Sequence, residues 1–324
     1  MNFCENLTIV MPTYNGAQRV NAVCEWLKRQ CFIGTLLIIS ADEKALEIDR
    51  KSYEFLQIIY KPNLGIIASI SLGFFSVTTA FCCYIGDDDF PNVAGLDACC
   101  SFLQDNPDFD SARGSVGYVH ANSMFKLLNS EQRPTLSFLL RLFFSNRYDS
   151  KTDLSTEAPN KRVLAIEAKY IVTQFFVIRR DIAKKIYGNG WLKITGQYSA
   201  EVASCVAHAW LVKTALLPRH MLLRGYGDHR KQPRVEMPSY TFNQELGEYF
   251  SSFVSSKNEM SLLIECTNNL VTTSNKNKFE AIKNEMQKKR FGHGFWTTLP
   301  RRLYFTIFHQ PTIPWRALFG RINK

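Results

Sequence analysis

The sequence predicts an α/β fold: a mostly parallel sheet flanked by helices, with a helical extension at the C-terminal end. Short apolar runs that are typical of buried strands alternate with stretches of helical periodicity through roughly the first 120 residues. Such alternation indicates βαβ units, whose right-handed crossovers keep neighbouring strands parallel. With 324 residues, 46% of them hydrophobic, the chain is also long and apolar enough to bury a large core.

In the N-terminal part, each predicted element follows from a short pattern of apolar residues. The predicted strands lie at residues 7–11, 35–39, 56–60 and 81–85. The predicted helices lie at residues 20–31, 42–53 and 64–76. Residues 64–85 carry no charge and are long enough to span a membrane, but their serines and threonines and the three aspartates that follow favour a helix and a buried strand.

Beyond residue 90 the predicted elements are spaced less regularly. Pro91 predicts the start of a helix that extends to residue 104, since proline fits the first turn of a helix. Further strands are predicted at residues 115–120, 171–178 and 212–217, and further helices at 181–187, 199–209 and within 239–290. We therefore divide the chain into a domain at residues 1–235 and an extension at 236–324 that ends in a basic, aromatic tail.

Composition restricts the compartment and the partners. The nine cysteines are scattered, with no secretory signal before them and no zinc-type spacing, so we expect reduced, buried thiols in a cytosolic protein. The net charge is +10, but residues 286–324 hold eight Lys or Arg and no Asp or Glu. Because the rest of the chain is near neutral, we expect no nucleic-acid partner.

Three consecutive carboxylates, Asp87, Asp88 and Asp89, follow the predicted strand at residues 81–85. Like charges about 4 Å apart repel by about 1 kcal/mol in water and by more where they are partly buried. A solvated acidic turn that caps the next helix would explain them. A divalent cation would also explain them, because Mg²⁺ and Mn²⁺ prefer oxygen ligands and complete their shells with substrate phosphates.

Two further motifs place the aspartates in a pattern. LTIVMPTYNG stands at residues 7–16, NLGIIASISLG at 63–73 and CYIGDDDF at 83–90. In this order and in these strand contexts they resemble glycosyltransferase family 2, whose members have the Rossmann-like GT-A fold. The DDDF version of the aspartate motif resembles a bacterial branch that acts in surface-polysaccharide assembly. Ser69 and Ser71 depart from the family pattern, which has alanine and asparagine there.

The resemblance implies a metal-dependent, inverting glycosyltransferase that moves a sugar from a UDP-sugar or another nucleoside diphosphate sugar to a saccharide acceptor, such as a lipid-linked glycan. The residues that it places in the nucleotide-sugar site are Pro12, Thr13, Tyr14, Asn15, Asp42, Asn63, Gly65, Asp87 and Asp88. It assigns Mn²⁺ or Mg²⁺ to Asp89 or Asp88 and places Asp87 nearer the ribose. His229 is either a further metal ligand or a surface histidine.

An inverting transfer needs a general base, and Glu201 is the candidate. It follows a glycine-containing turn and opens an otherwise apolar helix, where the resemblance implies an acidic catalytic residue. Alternatively, Glu201 is an acid of the first helical turn that the helix dipole favours. His208 on the same helix is expected to be a core histidine. The arginines that could meet a diphosphate are Arg113, Arg179, Arg180 and Arg224.

The tail at residues 291–324 interleaves aromatic side chains with arginines and is interrupted by prolines. This composition suits an anionic membrane surface, where rings lie at headgroup depth and cations meet anionic lipid. It predicts a cytoplasmic protein attached peripherally to the inner face of the plasma membrane. Alternatively, the tail packs on the first domain or on a second subunit of a homo-oligomer.

Two other functions fit parts of the pattern. A nucleotidyltransferase acting on sugar phosphates also places aspartates and a metal after a parallel sheet, but it typically needs a glycine-rich, basic loop after the first strand, which PTYNGAQR lacks. A non-catalytic nucleotide-sugar or glycan-binding module on a decayed transferase fold would not need to retain all three aspartates and Glu201.

Overall fold

The computed structural model describes residues 3–128, 152–226 and 240–288. Its strands are β1 (Leu7–Thr13), β2 (Thr35–Ser40), β3 (Leu56–Tyr60), β4 (Phe81–Tyr84), β5 (Phe90–Pro91), β6 (Ser111–His120), β7 (Val177–Arg179) and β8 (Thr214–Tyr226). Its α-helices are α1 (Ala17–Arg29), α2 (Ile66–Ser76), α3 (Val93–Asp105), α4 (Ala121–Leu128), α5 (Pro159–Ala168), α6 (Arg180–Ile186), α7 (Asn189–Leu192), α8 (Gln197–Leu211), α9 (Phe242–Phe250) and α10 (Lys257–Lys288). The predicted tail and His229 lie outside these residues.

The strands form one eight-stranded sheet in the order β3-β2-β1-β4-β7-β6-β8-β5. Neighbours are parallel from β3 to β4 and between β6 and β8, and antiparallel on both sides of β7 and between β5 and β8. Helices flank this sheet, which confirms the predicted α/β class. The chain runs outward from β1 to β3 and then returns to the other side of β1 to form β4. At such a reversal, the loops after the two central strands diverge and leave a crevice.

The first strand extends past the proline that we expected to end it. Pro12 pairs with Ile39 of β2, while the pairing of β1 with β4 stops at Val10 and Tyr84. The Val10 carbonyl accepts from Ile85 and the Thr13 carbonyl from Ala41, so even-numbered residues of β1 direct their backbone groups towards β4. An N–H on Pro12 would point towards β4, where the pairing has already ended. The proline therefore costs the sheet no hydrogen bond, and β1 tolerates it.

The prediction of a helix at residues 42–53 is wrong. The structure has only a short 3-10 helix there, at Arg50–Ser52. The Asp42 carboxylate accepts hydrogen bonds from the Asn15 backbone and the Ser40 hydroxyl, and the Leu46 side chain is buried. These tertiary contacts hold the segment in a loop and outweigh its helical propensity, which is worth only some tenths of a kcal/mol per residue.

Three other boundaries also differ from prediction. Pro91 belongs to β5 and not to a helix, because Phe90 and Pro91 pair with β8 before α3 begins. The single strand expected at residues 171–178 is divided into a 3-10 helix, Thr173–Phe175, and the short β7. The last strand is longer than its apolar core predicts, because β8 pairs with β6 as far as Tyr226.

Two hydrophobic clusters pack around the sheet. One contains Trp26 of α1 and Phe90, whose rings meet edge to face at 6.0 Å. The other surrounds α8 and includes Leu263 and Leu270 of α10. The helical extension therefore contributes to this second core. All nine cysteines are free thiols, and every one except Cys31 is buried, as predicted for packing residues. No helix in the described parts of the chain is long and apolar enough to cross a membrane.

His208 is a core histidine, as predicted. Its Nε2 lies 3.0 Å from the Thr214 hydroxyl, and its ring meets that of Phe176 edge to face. Burial first, and then the charges of Arg162 and Arg113, lower the pKa of His208 from 6.5 to about 3. The folded protein therefore keeps this imidazole neutral at pH values where the unfolded chain protonates it.

We expect this histidine to make stability fall in mild acid. Between pH 7 and pH 5 the unfolded chain gains a proton that the folded state refuses, so the free energy of unfolding should drop by about 2 kcal/mol from this residue alone. Urea unfolding at both pH values measures the drop. His208→Gln keeps a partner for Thr214 without the titration, and should show a smaller pH dependence. Equal pH dependence in the two proteins would contradict the assignment.

Candidate active site

A pocket of about 570 Å³ opens at the carboxyl ends of the parallel strands. It lies between the loops after β1 and β4, where the strand order reverses. The predicted site residues that line it are Pro12, Thr13, Tyr14, Asn63, Asp87 and Asp88. Lining residues that sequence reasoning did not single out include Arg19, Tyr84 and Gln197. The motifs after three different strands thus meet in one cavity.

The loop after β1 depends on an asparagine and a glycine. Asn15 has a φ of 50°, a left-handed conformation that asparagine adopts more readily than most residues. Its backbone N–H donates to the Asp42 carboxylate, which ties the loops after β1 and β2 together. A Cβ on Gly16 would lie 1.9 Å from the Thr13 hydroxyl and 2.8 Å from the Asp87 carboxylate. Only glycine therefore lets these polar groups meet.

The loop after β3 uses the same device. Asn63 has a φ of 61° and donates its backbone N–H to the Ala41 carbonyl. Gly65 follows at the N-cap of α2 with an ordinary negative φ and open space beyond its Cα. The first turn of α2 contributes Ile66 and Ser69 to the pocket wall. The N-x-G motif therefore sets the path of the loop into α2, and its glycine leaves the helix start uncovered.

Asp89 anchors the aspartate loop. One carboxylate oxygen accepts from the Gly86 backbone N–H at 2.9 Å, and the other accepts from the Gly225 N–H of β8 at 3.1 Å. A Cβ on Gly225 would lie 2.1 Å from the Asp88 carbonyl oxygen, so the loop and β8 are in close contact. Asp89 is buried, and its carboxylate joins two parts of the chain that are far apart in sequence.

Asp87 faces the pocket and is bound from the first-strand side. Its Oδ2 accepts from the Thr13 hydroxyl at 2.8 Å and from Arg19 Nη2 at 2.6 Å. The same Arg19 nitrogen donates to the Tyr14 carbonyl at 2.9 Å. Asp88, which is 2% exposed, also lines the pocket. The three neighbouring aspartates thus have different surroundings.

Tyr84, at the end of β4, stands among the acidic residues. Burial, and then the negative charges of Asp89, Glu201 and the two other aspartates, raise the pKa of Tyr84. Its hydroxyl is therefore a hydrogen-bond donor throughout the physiological pH range.

Glu201 lies in the second turn of its helix. The helix α8 begins at Gln197, after Gly196 with a φ of 93°, so Glu201 does not open the helix, as we predicted, and it is not an acid of the first turn either. Gln197 and Glu201 are four residues apart and share a helix face, and Gln197 lines the pocket. The Glu201 carboxylate accepts from the Tyr170 hydroxyl at 2.8 Å. Burial and the nearby Cys205 raise the pKa of Tyr170, which keeps it a donor.

Most of the arginines that could meet a diphosphate have other roles. Arg179 donates to the Leu103 and Phe109 carbonyls and pairs with Phe81, at the opposite end of β4 from the pocket. Arg180 lies beside it, and Arg113 donates to the Thr152 carbonyl. Among the described residues, the arginine that lines the pocket is Arg19. In the sequence, Arg19 is a basic residue at the start of a helix, and no local pattern connects it with Asp87. Only the fold brings the two residues together.

The carboxylates at the pocket are chemically suited to a hard cation. Asp87 and Asp88 line a cavity large enough for a ligand that supplies phosphate oxygens, and Mg²⁺ is commonly held by one or two carboxylates together with such oxygens. Within the described ranges, no group of three or more His, Cys, Asp or Glu side chains is arranged as a complete metal site.

No protein-family model matches the sequence, and neither does any curated protein. Solved structures do match its fold. The crystal structure of S. aureus TarS 1–349 has a TM-score of 0.53 and 14% identity, and the match covers 84% of this chain and 74% of that one. The complex of the same fragment with UDP has a TM-score of 0.54 and 14% identity over 96% of this chain and 82% of that one. The complex with UDP-GlcNAc has a TM-score of 0.53 and 14% identity, covering 87% and 77%.

The chain has the fold of TarS. This likeness confirms the expected glycosyltransferase type of α/β fold. Because the identity is low, it shows the fold and not the chemistry, and membership of glycosyltransferase family 2 stays a prediction.

Proposed function

We propose that this protein is a glycosyltransferase that takes its sugar from a nucleoside diphosphate donor. The observation that carries the proposal is the pocket where the strand order reverses between β1 and β4, with Asp87 and Asp88 in its wall. Open α/β sheets bind ligands at this kind of position, outside the carboxyl ends of the strands. The TarS complexes with UDP and UDP-GlcNAc support a UDP-sugar as the donor.

The transfer that we propose inverts the anomeric carbon. The acceptor hydroxyl oxygen bonds to that carbon as the bond to the diphosphate oxygen breaks, and the bonding pair leaves with the diphosphate. Glu201 takes the proton of the acceptor hydroxyl, because a carboxylate near the pocket can serve as a general base. The Tyr170 hydroxyl holds one oxygen of Glu201, which fixes the direction of the carboxylate.

A divalent cation, Mn²⁺ or Mg²⁺, is part of the proposal. Asp88 or Asp89 would hold it together with the donor, and His229 is a further candidate ligand outside the described residues. When bound, the ion would neutralise negative charge on the leaving diphosphate. Asp42 accepts a hydrogen bond from the Asn15 backbone N–H and so holds the loops after β1 and β2 together. We assign these loops to the nucleoside of the donor.

A binding experiment with a panel of nucleotides tests this function. We expect UDP and UDP-sugars to raise the melting temperature in the presence of Mn²⁺ or Mg²⁺, because a ligand that binds only the folded state stabilises it. In a parallel assay for nucleotidyltransferase activity, the protein is incubated with a nucleoside triphosphate and a sugar phosphate. Release of pyrophosphate in this parallel assay, without transfer or hydrolysis of any UDP-sugar, would refute the proposal. Tight binding with no turnover on any acceptor would favour the non-catalytic module.

On the acceptor side we propose a lipid-linked glycan of a bacterial surface polysaccharide, reached by attachment of residues 291–324 to an anionic membrane. The support is the aromatic and basic composition of that tail. We expect the full chain, and not a chain ending at residue 290, to sediment with anionic liposomes. Equal sedimentation of the two chains would rule out this anchor.

A further inference from the structure

Glu245 of α9 joins the helical extension to the segment that leads into α8. Its Oε2 accepts from the Thr195 backbone N–H at 2.8 Å, and its Oε1 accepts from the Thr195 hydroxyl at 3.0 Å. The Thr241 hydroxyl donates to the same Oε1 at 2.7 Å, which fixes the carboxylate on its own helix. The helix dipole favours an acid in the first turn of α9, but it does not account for two bonds to one residue 50 positions away.

Apolar contacts hold α9 in place without these bonds. Its buried side chains pack in the second hydrophobic cluster with two from the segment before α8, and the six are Phe242, Leu246, Tyr249, Phe250, Trp191 and Ile194. Burial of large apolar side chains is the main source of stability in such a contact, whereas a hydrogen bond that replaces one to water adds little. The bonds of Glu245 therefore define the path of the backbone at Thr195 more than they secure the helix.

The residues that follow Thr195 lead directly into the pocket. Gly196 turns the chain with a φ of 93°, which glycine adopts without strain, and Gln197 then begins α8 in the pocket wall. Gln197 is exposed, and its side-chain amide makes no hydrogen bond to the described residues. An amide can both donate and accept, and so can the hydroxyls of a saccharide. Thr195 is thus the last fixed point of the chain before a polar group that a substrate can reach.

Glu201, one turn further along α8, has supports of its own. The Tyr170 hydroxyl donates to its carboxylate at 2.8 Å. The Trp191 indole N–H donates to the Ala200 carbonyl at 2.7 Å and so fixes the backbone just before it. Neither hydrogen bond involves the extension. Loss of Glu245 should therefore release the first residue of α8 and leave the proposed base in place.

We propose that Gln197 binds the acceptor saccharide and that Glu245 is a positioning residue, which places Gln197 through Thr195. Gln197 and Glu201 share one face of α8. Because the acceptor hydroxyl gives its proton to Glu201 in the proposed reaction, this face is the one turned to the acceptor. The helical extension then takes part in acceptor recognition. This inference rests on the proposed function.

The test is the kinetics of sugar transfer by the full chain from a UDP-sugar to soluble methyl glycosides of hexoses and N-acetylhexosamines. Gln197→Ala and Glu245→Leu are each expected to raise the KM for the glycoside by about 10-fold, the size of one good hydrogen bond, and to change kcat and the Kd of UDP by less than about 3-fold. The double variant should show no further rise, because Glu245 acts through Gln197. A merely structural role would lower kcat with the folded fraction and leave KM unchanged.

Two further variants separate positioning from general damage. Glu245→Gln should keep a KM close to that of the wild type, because the amide oxygen can accept from the Thr195 N–H and the NH₂ group can donate to the two threonine hydroxyls. Glu248→Gln is the matched control. Glu248 lies on the same helix and accepts from Lys193 of the same segment at 3.0 Å, but it does not contact Thr195. This variant should leave the KM for the glycoside unchanged.

Each outcome bears on one claim. A wild type that neither transfers nor hydrolyses any UDP-sugar refutes the proposed function, and this inference with it. A wild type that transfers sugar, while Gln197→Ala or Glu245→Leu keeps its KM for the glycoside, overturns the inference and leaves the proposed function standing. A further rise in the double variant overturns the action of Glu245 through Gln197. An equal rise in the Kd of UDP overturns the assignment of Gln197 to the acceptor.

Discussion

Exchange of Glu201 for glutamine is expected to lower the rate of sugar transfer by about 10²–10⁴-fold, the usual contribution of a general base. Glutamine has nearly the same shape and can still accept from the Tyr170 hydroxyl, but it cannot take a proton from the acceptor. Glu201 lies one helical turn from Gln197 in the pocket wall, so the change does not touch the aspartate loop directly. Binding of UDP should therefore remain close to that of the wild type.

The measurement is steady-state transfer to a soluble saccharide acceptor, with the affinity for UDP determined in parallel. Glu167→Gln is the matched control, because Glu167 also accepts a side-chain hydrogen bond, from Asn269, but lies on α5. If Glu201→Gln turned over as fast as this control, Glu201 would not be the base. If it lost UDP binding and turnover equally, its role would lie in forming the pocket.

Features that depend on neighbouring residues could be predicted from the sequence, and contacts between distant residues could not. The strands β1 to β4 and the three motifs belong to the first kind, because each depends on a short run of residues. The shared pocket also followed, since the ends of parallel strands lie at one edge of a sheet. Arg19 could not be predicted, because its pairing with Asp87 joins residues 68 positions apart. Tyr170 and Glu201 are 31 positions apart, and no local pattern connects them.

The wrong predictions at residues 42–53 and at Pro91 have the same physical cause, which is contact with distant parts of the chain. Residues 42–53 have a helical composition, but Asp42 is held by the loop after β1 and Leu46 enters the core. Pro91 fits a helix start, yet the pairing of Phe90 with Leu223 of β8 takes it into a strand. In both places, contacts with distant parts of the chain override a local preference, which is worth only some tenths of a kcal/mol per residue.

Asp88 and Asp89 are expected to respond differently to the same substitution, although they are adjacent and identical in type. In Asp89→Asn, one carboxylate oxygen becomes an NH₂ group, which cannot accept from the Gly86 or Gly225 backbone N–H. One buried donor is then left unsatisfied, at a cost of about 1–3 kcal/mol in the free energy of unfolding. Asp88→Asn does not disturb these two bonds and should leave stability closer to that of the wild type.

Nucleotide binding should show the opposite order of effects. If Asp88 holds the cation, Asp88→Asn will remove most of the gain in UDP affinity that Mn²⁺ provides, roughly 10-fold or more for loss of a charged ligand. Asp89→Asn should keep a gain from Mn²⁺ in the fraction that remains folded. Titration of UDP with and without Mn²⁺, together with urea unfolding, separates the two. A stable Asp89→Asn protein that no longer responds to Mn²⁺ would instead make Asp89 the metal ligand, because an anchor is detected by stability and a ligand by the dependence of binding on the ion.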